Sequence, residues 1–311
     1  MNNEMIYLLV RKSRGNYINK LDSLVTGYEG EEEFARIVRQ YLPHRSIFLT
    51  NYIFEQPSYA QIDGILLMSD RIHLYEVKNY DAHCSITDGK LYYNHRHINH
   101  NPIQQIERAA DYFRNILIQN KLNISLQPHL VLIHPFATLE QDDSVQIPIL
   151  LRNELRNHFQ TIDSSTHSHP RYDPTTIHDI LNYYQINDWH NYFEQHSFNL
   201  SDLRAGVYCT NCGSFYMEKT TYYFKCQHCH TSISKKAALD YLIQECAALT
   251  PGEVIKTKDL FYLIDQSLSP NWVYRMLNQK LDRVAYGTYV KPKLVPDFLN
   301  KLLGLYYRSV K

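Results

Sequence analysis

Glycine is scarce in this chain, 10 of 311 residues, and proline contributes only 12, which excludes collagen-like and low-complexity architectures. Net charge is also missing. The 32 Lys and Arg balance 32 Asp and Glu, so neither a uniformly basic histone-like binder nor an acidic disordered tail fits. No apolar run approaches the ~18 residues of a membrane span. The run Met5–Val10 is too short for a signal peptide, and its basic flank, Arg11-Lys12-Ser13-Arg14, lies on the wrong side. The expectation is a cytoplasmic protein with no membrane partner. In that compartment six cysteines point to metal ligation or free thiols rather than disulfides.

What is present suffices for real cores. Hydrophobic residues make up 44% and aromatics 13%, with 26 tyrosines, over a length that suits two or three domains. The zero net charge hides an asymmetry. Residues 231–311 hold 12 basic and 7 acidic residues, an excess of five, and residues 1–230 carry the matching deficit. A basic C-terminal unit beside an acidic one suggests a binding module joined to a carboxylate-bearing module; ordinary surface variation is the alternative.

The N-terminal half reads as α/β. Phe34, Val38, Tyr41 and Leu42 form a helical stripe over residues 28–42, stopped by Pro43. Strand-like runs follow at 46–54, 61–68 and 71–77, the last two joined by a Ser69-Asp70 turn. Asn101 caps a helix that reaches about Gln119, with Pro102 in its first turn. Short strands are expected at 130–133 and 145–151, and the order of elements predicts a mixed sheet. Residues 161–178 read as a loop and 174–196 as a helical bridge.

Chemistry concentrates around the strands. Glu76 and Lys78 alternate with Val77, so they share one strand face, and Asp63 on the preceding strand can sit beside them. Two hard oxygen ligands with open positions suit Mg²⁺ or Mn²⁺, and a neighbouring lysine can orient a water and stabilise phosphate charge. A surface Glu–Lys pair is the plain alternative. Glu31 falls on the core side of the first helix, where a carboxylate is costly unless paired or metal-bound, although a first-turn acid also suits the helix dipole. Gln105 lies on the core side of the second helix, and Gln104 reads as a capping residue.

Gly27-x-x-Gly30-Glu31, Gln61-Ile62-Asp63, Glu76-Val77-Lys78-Asn79 and Asn101-Pro102-x-x-Gln105, in that order, resemble the nuclease-related domain (NERD) family of the PD-(D/E)xK nuclease superfamily. The resemblance spans roughly residues 20–155. It implies a restriction-endonuclease-like core and divalent-metal cleavage of nucleic acid, most readily duplex DNA. It also implies Asp63 and Glu76 as metal ligands, with the Val77 carbonyl as a third. Lys78 becomes the catalytic lysine, and Glu31 and Gln105 supporting residues. Ile62 stands where the wider superfamily has proline, which is the family's own form.

Cys209-x-x-Cys212 and Cys226-x-x-Cys229, thirteen residues apart, give four thiolates for a closed, structural Zn²⁺ site of zinc-ribbon type. His228 and His230 rank far below the cysteines as ligands. Cys84 and Cys246 have no spaced partners and read as ordinary thiols. Tyr208, Phe215, Tyr216, Tyr222, Tyr223 and Phe224 can stack on bases, but in so small a unit the expectation is that they form its core. Beyond it, residues 258–264 and 269–280 read as helices and 283–291 as a two-stranded wing. This resembles the winged-helix class, with Asn271, Tyr274, Arg275 and Asn278 facing a groove and Arg283 and Lys291 near phosphates. Trp272 fits the buried stripe better. Of the 16 histidines, His83, His95, His97, His100, His167 and His169 show no convincing ligand spacing and read as exposed or locally bonded.

The expected organisation is therefore a nuclease domain at 1–160, a linker at 161–204, a zinc ribbon at 205–234 and a winged-helix-like α+β domain at 235–311. The expected function is metal-dependent DNA cleavage, with a homodimer left open. The alternative is a non-catalytic DNA- or protein-binding regulator that keeps the nuclease fold.

Overall fold

The computed structural model describes residues 2–43, 45–55, 59–164, 172–186 and 199–310. It divides into two compact units, Ser23–Asn187 and Met1–Asp22 with Asp188–Lys311.

The first unit is built on a five-stranded mixed sheet. Strands β1 (Ile47–Glu55), β2 (Tyr59–Leu67) and β3 (Arg71–Lys78) form an antiparallel meander. The expected turn at Ser69-Asp70 closes with Met68 N–H donating to the Arg71 carbonyl at 3.0 Å. Strands β7 (Ser125–Leu132) and β9 (Ile149–Leu151) then extend the sheet in parallel, giving the order β1-β2-β3-β7-β9. Parallel neighbours need a crossover, and α3 (Pro102–Gln119) lies within the one between β3 and β7.

The strand period of two sorts residues to two cores. Ile72 and Leu74 pack with Ile106, Phe113 and Leu117 of α3. Tyr75, Val77 and Val131 pack on the other face with Phe34 and Val38 of α2 (Lys20–Gln40) and Phe159 of α4 (Leu155–Ser164). Helix α2 begins at Lys20, well before the expected residue 28. Helix α5 (Pro174–Tyr184) covers the start of the expected bridge at 174–196 and stops there, because Gln185 is extended and pairs with Phe54; residues 187–196 lie outside the described residues.

A second sheet was not foreseen. Strands β4 (His83–Thr87), β5 (Lys90–Tyr93), β6 (Arg96–His97) and β8 (Thr138–Gln141) pair in the order β6-β5-β4-β8. Cys84 is buried in the small core behind this sheet with Ile86 and Leu91.

The other unit starts with α1 (Asn3–Ser13). Residues 5–11 of this helix are all buried, as expected of a helix that is apolar all round. The sequence reading placed these residues with the nuclease domain, but they cluster instead with the C-terminal chain. Arg14, just past α1, explains part of this. Its guanidinium is fully buried against Glu245 at 2.6 Å and donates to the Arg204 carbonyl at 2.8 Å. Glu245 lies on α6 (Lys235–Leu249) and also accepts from Tyr208 Oη at 2.7 Å. Removing one partner of such a pair would strand a buried charge at a cost of about 3–5 kcal/mol.

Strands β10 (Met217–Lys219), β11 (Tyr223–Cys226) and β12 (Ser232–Ser234) make a three-stranded sheet around the cysteine knuckles. After α6 come β13 (Val254–Lys256), α7 (Thr257–Ile264), α8 (Pro270–Lys280), the hairpin of β14 (Arg283–Ala285) and β15 (Thr288–Val290), and α9 (Pro296–Val310). The expected helices at 258–264 and 269–280 and the paired strands after them are all present.

Candidate active site and zinc centre

The carboxylates gather where two strands part. The β2–β3 ladder runs from Leu67↔Ile72 to Gly64↔Tyr75 and goes no further. At the next step the Asp63 side chain takes over. Its Oδ2 accepts the Val77 backbone N–H at 2.8 Å, and Gln61 Nε2 donates to its Oδ1 at 3.4 Å. The carboxylate thus replaces a strand partner and is held in the fork. Glu76 and Lys78 share the strand face opposite Val77, and Lys78 Nζ donates to Glu76 Oε1 at 2.6 Å. Glu76 is 1% exposed, and its Oε2 is buried with no hydrogen-bond partner among the described residues.

Glu31 is brought in by a close approach of α2. A Cβ on Gly30 would lie 2.7 Å from the Asn79 Cβ and 3.1 Å from the Ile133 Cγ2, so only glycine lets the helix come this near the end of β3. Asn79 fixes the approach by donating from Nδ2 to the Thr26 carbonyl at 2.9 Å. Glu32 is exposed, and Glu33 is taken by Arg36 at 2.8 Å and Arg152 at 2.5 Å, so Glu31 is the acid this helix offers to the fork.

The electrostatics ask for a cation. Burial, then Asp63, pushes the Glu76 carboxyl up to about 8. Burial and Asp63 likewise push Glu31 up to about 7, and burial raises Asp63 itself. Lys78 goes the other way from an ordinary buried amine: although burial opposes its charge, Glu76 and Asp63 hold its pKa above the usual lysine value. Three ionised carboxylates against one ammonium leave two negative charges, which one divalent cation cancels. Glu31, Asp63 and Glu76 are not drawn within 4.8 Å of one another as the cysteines are, so a hydrated ion held by two of them fits better than a closed cage.

Gln105 is half-buried in the first turns of α3, and its side chain is not hydrogen-bonded to these acids among the described residues. Asn101 caps α3 through the Ile103 N–H at 3.1 Å, while Gln104 is exposed and closes no capping box. Asn51 was missed by sequence reasoning. The β1–β2 register leaves it opposite Asp63, in the left-handed region at φ 51, with its Oδ1 buried and unpartnered among the described residues. Its only sequence signal is a lone amide inside an apolar strand.

The cysteine knuckles form a tighter centre. Cys209 Sγ lies 3.5 Å from Cys229 Sγ, Cys212 Sγ lies 3.6 Å from Cys226 Sγ, and all four sulfurs fall within 4.8 Å of one another. A disulfide needs about 2.05 Å. Four thiolates about 2.3 Å from a tetrahedral Zn²⁺ stand roughly 3.8 Å apart, and the set fits that ion. The N–H groups of His228 and Cys229 both point at Cys226 Sγ, at 3.4 Å. His228 and His230 are not part of the cluster.

A second ligand-like cluster was not foreseen. His73, His129 and His158 come together beneath the sheet, with His73 Nδ1 and His129 Nε2 3.0 Å apart. Burial lowers all three, to about 3, 2 and 4, so they are neutral. His73 Nε2 and His129 Nδ1 have no partner among the described residues, which leaves both rings there without the outer hydrogen bond that usually orients a metal-bound imidazole. Among the histidines weighed from sequence, His95, His97 and His100 are exposed and His83 meets Thr138 Oγ1 at 3.0 Å; His167 and His169 lie outside the described residues.

In the C-terminal unit Asn271, Arg275, Asn278 and Arg283 are exposed, and Asn278 Oδ1 accepts from Tyr289 Oη at 2.7 Å. Tyr274 packs on Phe261, with ring centroids 5.3 Å apart. Lys291 turns inward, donating to the Thr250 carbonyl at 2.6 Å, and burial lowers its pKa to about 8. The ribbon's aromatics divide. Tyr208 and Phe224 are buried, as expected of a core, but Tyr216, Tyr222 and Tyr223 are exposed.

A mixed α/β sheet with buried acids and a lysine at a strand fork defines a nuclease-like domain. Residues 26–135 match the family model described as the nuclease-related domain (NERD), and the chain carries that domain over about a third of its length. Comparison with curated proteins and with solved structures gives no match. No helix among the described residues is long and apolar enough to cross a membrane.

Proposed function

We propose that the chain is a divalent-metal-dependent nuclease that hydrolyses phosphodiester bonds in DNA. The observation that carries this reading is the fork itself: Asp63 and Glu76, both buried, and Glu31 beside them face one ammonium and, when ionised, are left two charges short of neutrality. In this reading Asp63 and Glu76 hold Mg²⁺ or Mn²⁺, with the Val77 carbonyl completing the protein's ligands. The ion, when bound, supplies Lewis-acid stabilisation of phosphate charge.

The remaining roles belong to the chain. Asp63 is fixed by the Val77 N–H and Gln61, so its free lone pairs keep their aim. Lys78 stays charged, because Glu76 and Asp63 hold its pKa high. It therefore acts as a donor that orients the attacking water and offsets charge building on the phosphate, not as a base. Glu31 adds negative charge to the ion's surroundings, and Gln105 lines the approach from α3.

The zinc centre holds a ribbon together, and the helix–strand–helix–helix–hairpin order of residues 235–290 supports a winged-helix-like module. Asn271, Tyr274, Arg275 and Asn278 of α8 and Arg283 of the hairpin are its candidate DNA contacts; Lys291 braces the hairpin through the Thr250 carbonyl. The test is incubation of plasmid with the purified protein, with Mg²⁺ or with EDTA, alongside Asp63→Ala and Lys78→Ala. Mg²⁺-dependent cutting that both variants lose by about a thousandfold supports the reading. Binding without cutting across plasmid, linear and single-stranded substrates would instead favour a regulator that keeps the fold.

A further inference from the structure

The exposed tyrosines of the ribbon do not stand alone. Tyr222 and Tyr223, 73% and 52% exposed, line a groove of about 640 Å³ together with Trp272 of α8. Lys219, Lys235 and Lys236 line the same groove, and no acidic residue is among its described lining residues. Each feature has a local cause. In β11 Phe224 and Cys226 point inward, so Tyr223 must point out. The turn before it is fixed, with Thr220 N–H donating to the Tyr223 carbonyl at 2.9 Å, which projects Tyr222 into solvent. Lys235 is aimed by a 2.8 Å bond from its Nζ to the Thr221 carbonyl, leaving two of its three donors unspent among the described residues.

Two helices also begin here. Ser234, capping α6, and Ser269, at the start of α8, both line the groove, and Ser269 makes no side-chain capping bond of its own. Helix starts add positive potential to the lysines. Three aromatic faces set among unopposed cations complement a chain that alternates flat rings with negative charges. A duplex hides the faces of its bases within the stack, whereas a single strand can offer them to side chains.

We propose that this groove binds single-stranded DNA, its bases stacking on Tyr222, Tyr223 and Trp272 and its phosphates meeting Lys219, Lys235 and Lys236. The choice of DNA rests on the proposed nuclease function; the stacking site itself does not. It gives the C-terminal unit a hold on an unpaired strand separate from the fork of Asp63 and Glu76.

The test is fluorescence anisotropy of the full-length, zinc-loaded chain without Mg²⁺ or Mn²⁺, using labelled oligo(dT) of about 20 residues, a duplex of equal length and oligo(rU). The expected result is preferential binding of oligo(dT), weakened about tenfold by Tyr222→Ala. Lys236→Gln should lower the slope of log affinity against log salt by about 0.7. Because the chain has two tryptophans, Trp189→Phe leaves Trp272 as the reporter, and oligo(dT) should quench it. Equal or tighter binding of the duplex or oligo(rU), unchanged affinity in Tyr222→Ala, or an unquenched Trp272 would overturn the proposal. With no Mg²⁺ or Mn²⁺ present, cleavage at the carboxylates plays no part. Strand binding without Mg²⁺-dependent cutting would sink the nuclease reading alone, and cutting without groove binding would sink this inference alone.

Discussion

The thiolate cluster at Cys209–Cys229 and the carboxylate fork around Asp63 both suit cations, but they differ in closure. Four sulfurs stand within 4.8 Å of one another and fill a tetrahedron, which leaves no position for a substrate. The fork keeps its acids farther apart, buries an unpartnered Glu76 oxygen and sets a lysine at the rim, 25% exposed. A closed site holds structure, whereas an open and charge-starved one has room for chemistry. The same contrast governs energetics. Zinc binding should stabilise the unit that carries the cysteines, while the acids of the fork destabilise theirs until an ion arrives.

The largest expected effect breaks the closed site. Cys212→Ser should lower bound zinc from one equivalent to well below it, read by elemental analysis. It should also unfold the ribbon, because structural zinc sites are worth on the order of 10 kcal/mol. Ser23–Asn187 should keep its own melting transition. Next comes the open site. Glu76→Gln should abolish cutting yet raise the melting temperature of the ion-free protein by a few degrees, since it removes like-charge repulsion in the fork. Calorimetry with and without Mg²⁺ checks both signs: wild type is stabilised by the ion, and the variant is not.

A smaller effect sharpens the packing argument. Gly30→Ala gains helix propensity of about 1 kcal/mol but drives a methyl to 2.7 Å from the Asn79 Cβ, so a net loss of about 1–2 kcal/mol is expected. Cutting should also fall, because the helix that carries Glu31 must retreat. Denaturant melts and plasmid assays read the two losses separately.

The last effect is on pH. His73, His129 and His158 titrate near 3, 2 and 4 when folded, below the ~6.5 of an unfolded histidine. The unfolded chain therefore binds more protons below pH 6.5. Their stabilisation is complete above that pH and is lost as pH falls toward the folded values. Glu76 and Glu31, raised to about 8 and 7, act in reverse in the ion-free protein: stability falls as pH rises through those values. Saturating Mg²⁺ should remove the upper limb and leave the acid limb, as read by melting temperature from pH 5 to 8.5.

How much of this was legible depended on the range of the contacts. The cysteine centre lies in two four-residue knuckles, so spacing alone was enough. The β1–β3 meander and α3 could be read because alternation and the Asn101 cap are local. The fork was reached through ordered motifs, each sited on an element that periodicity had already placed. The four-stranded sheet escaped because its strands are two to five residues long and rich in polar side chains. Helix α1 escaped because a helix buried on every side has no amphipathic stripe. The histidine cluster depends on the parallel register that sets His129 beside Tyr75, a pairing between strands some fifty residues apart that no local pattern encodes. The exposed tyrosines of the ribbon were misread because composition cannot say which aromatic residues a small core has room for.

Manganese titration of the protein freed of Mg²⁺ but keeping its zinc, followed by electron paramagnetic resonance on wild type and Glu76→Gln, tests the fork most directly. The account predicts one Mn²⁺ per chain in the wild type, lost in the variant while the zinc content of both stays at one. A wild-type protein that binds no Mn²⁺, or a Glu76→Gln protein that binds it as tightly, would contradict it.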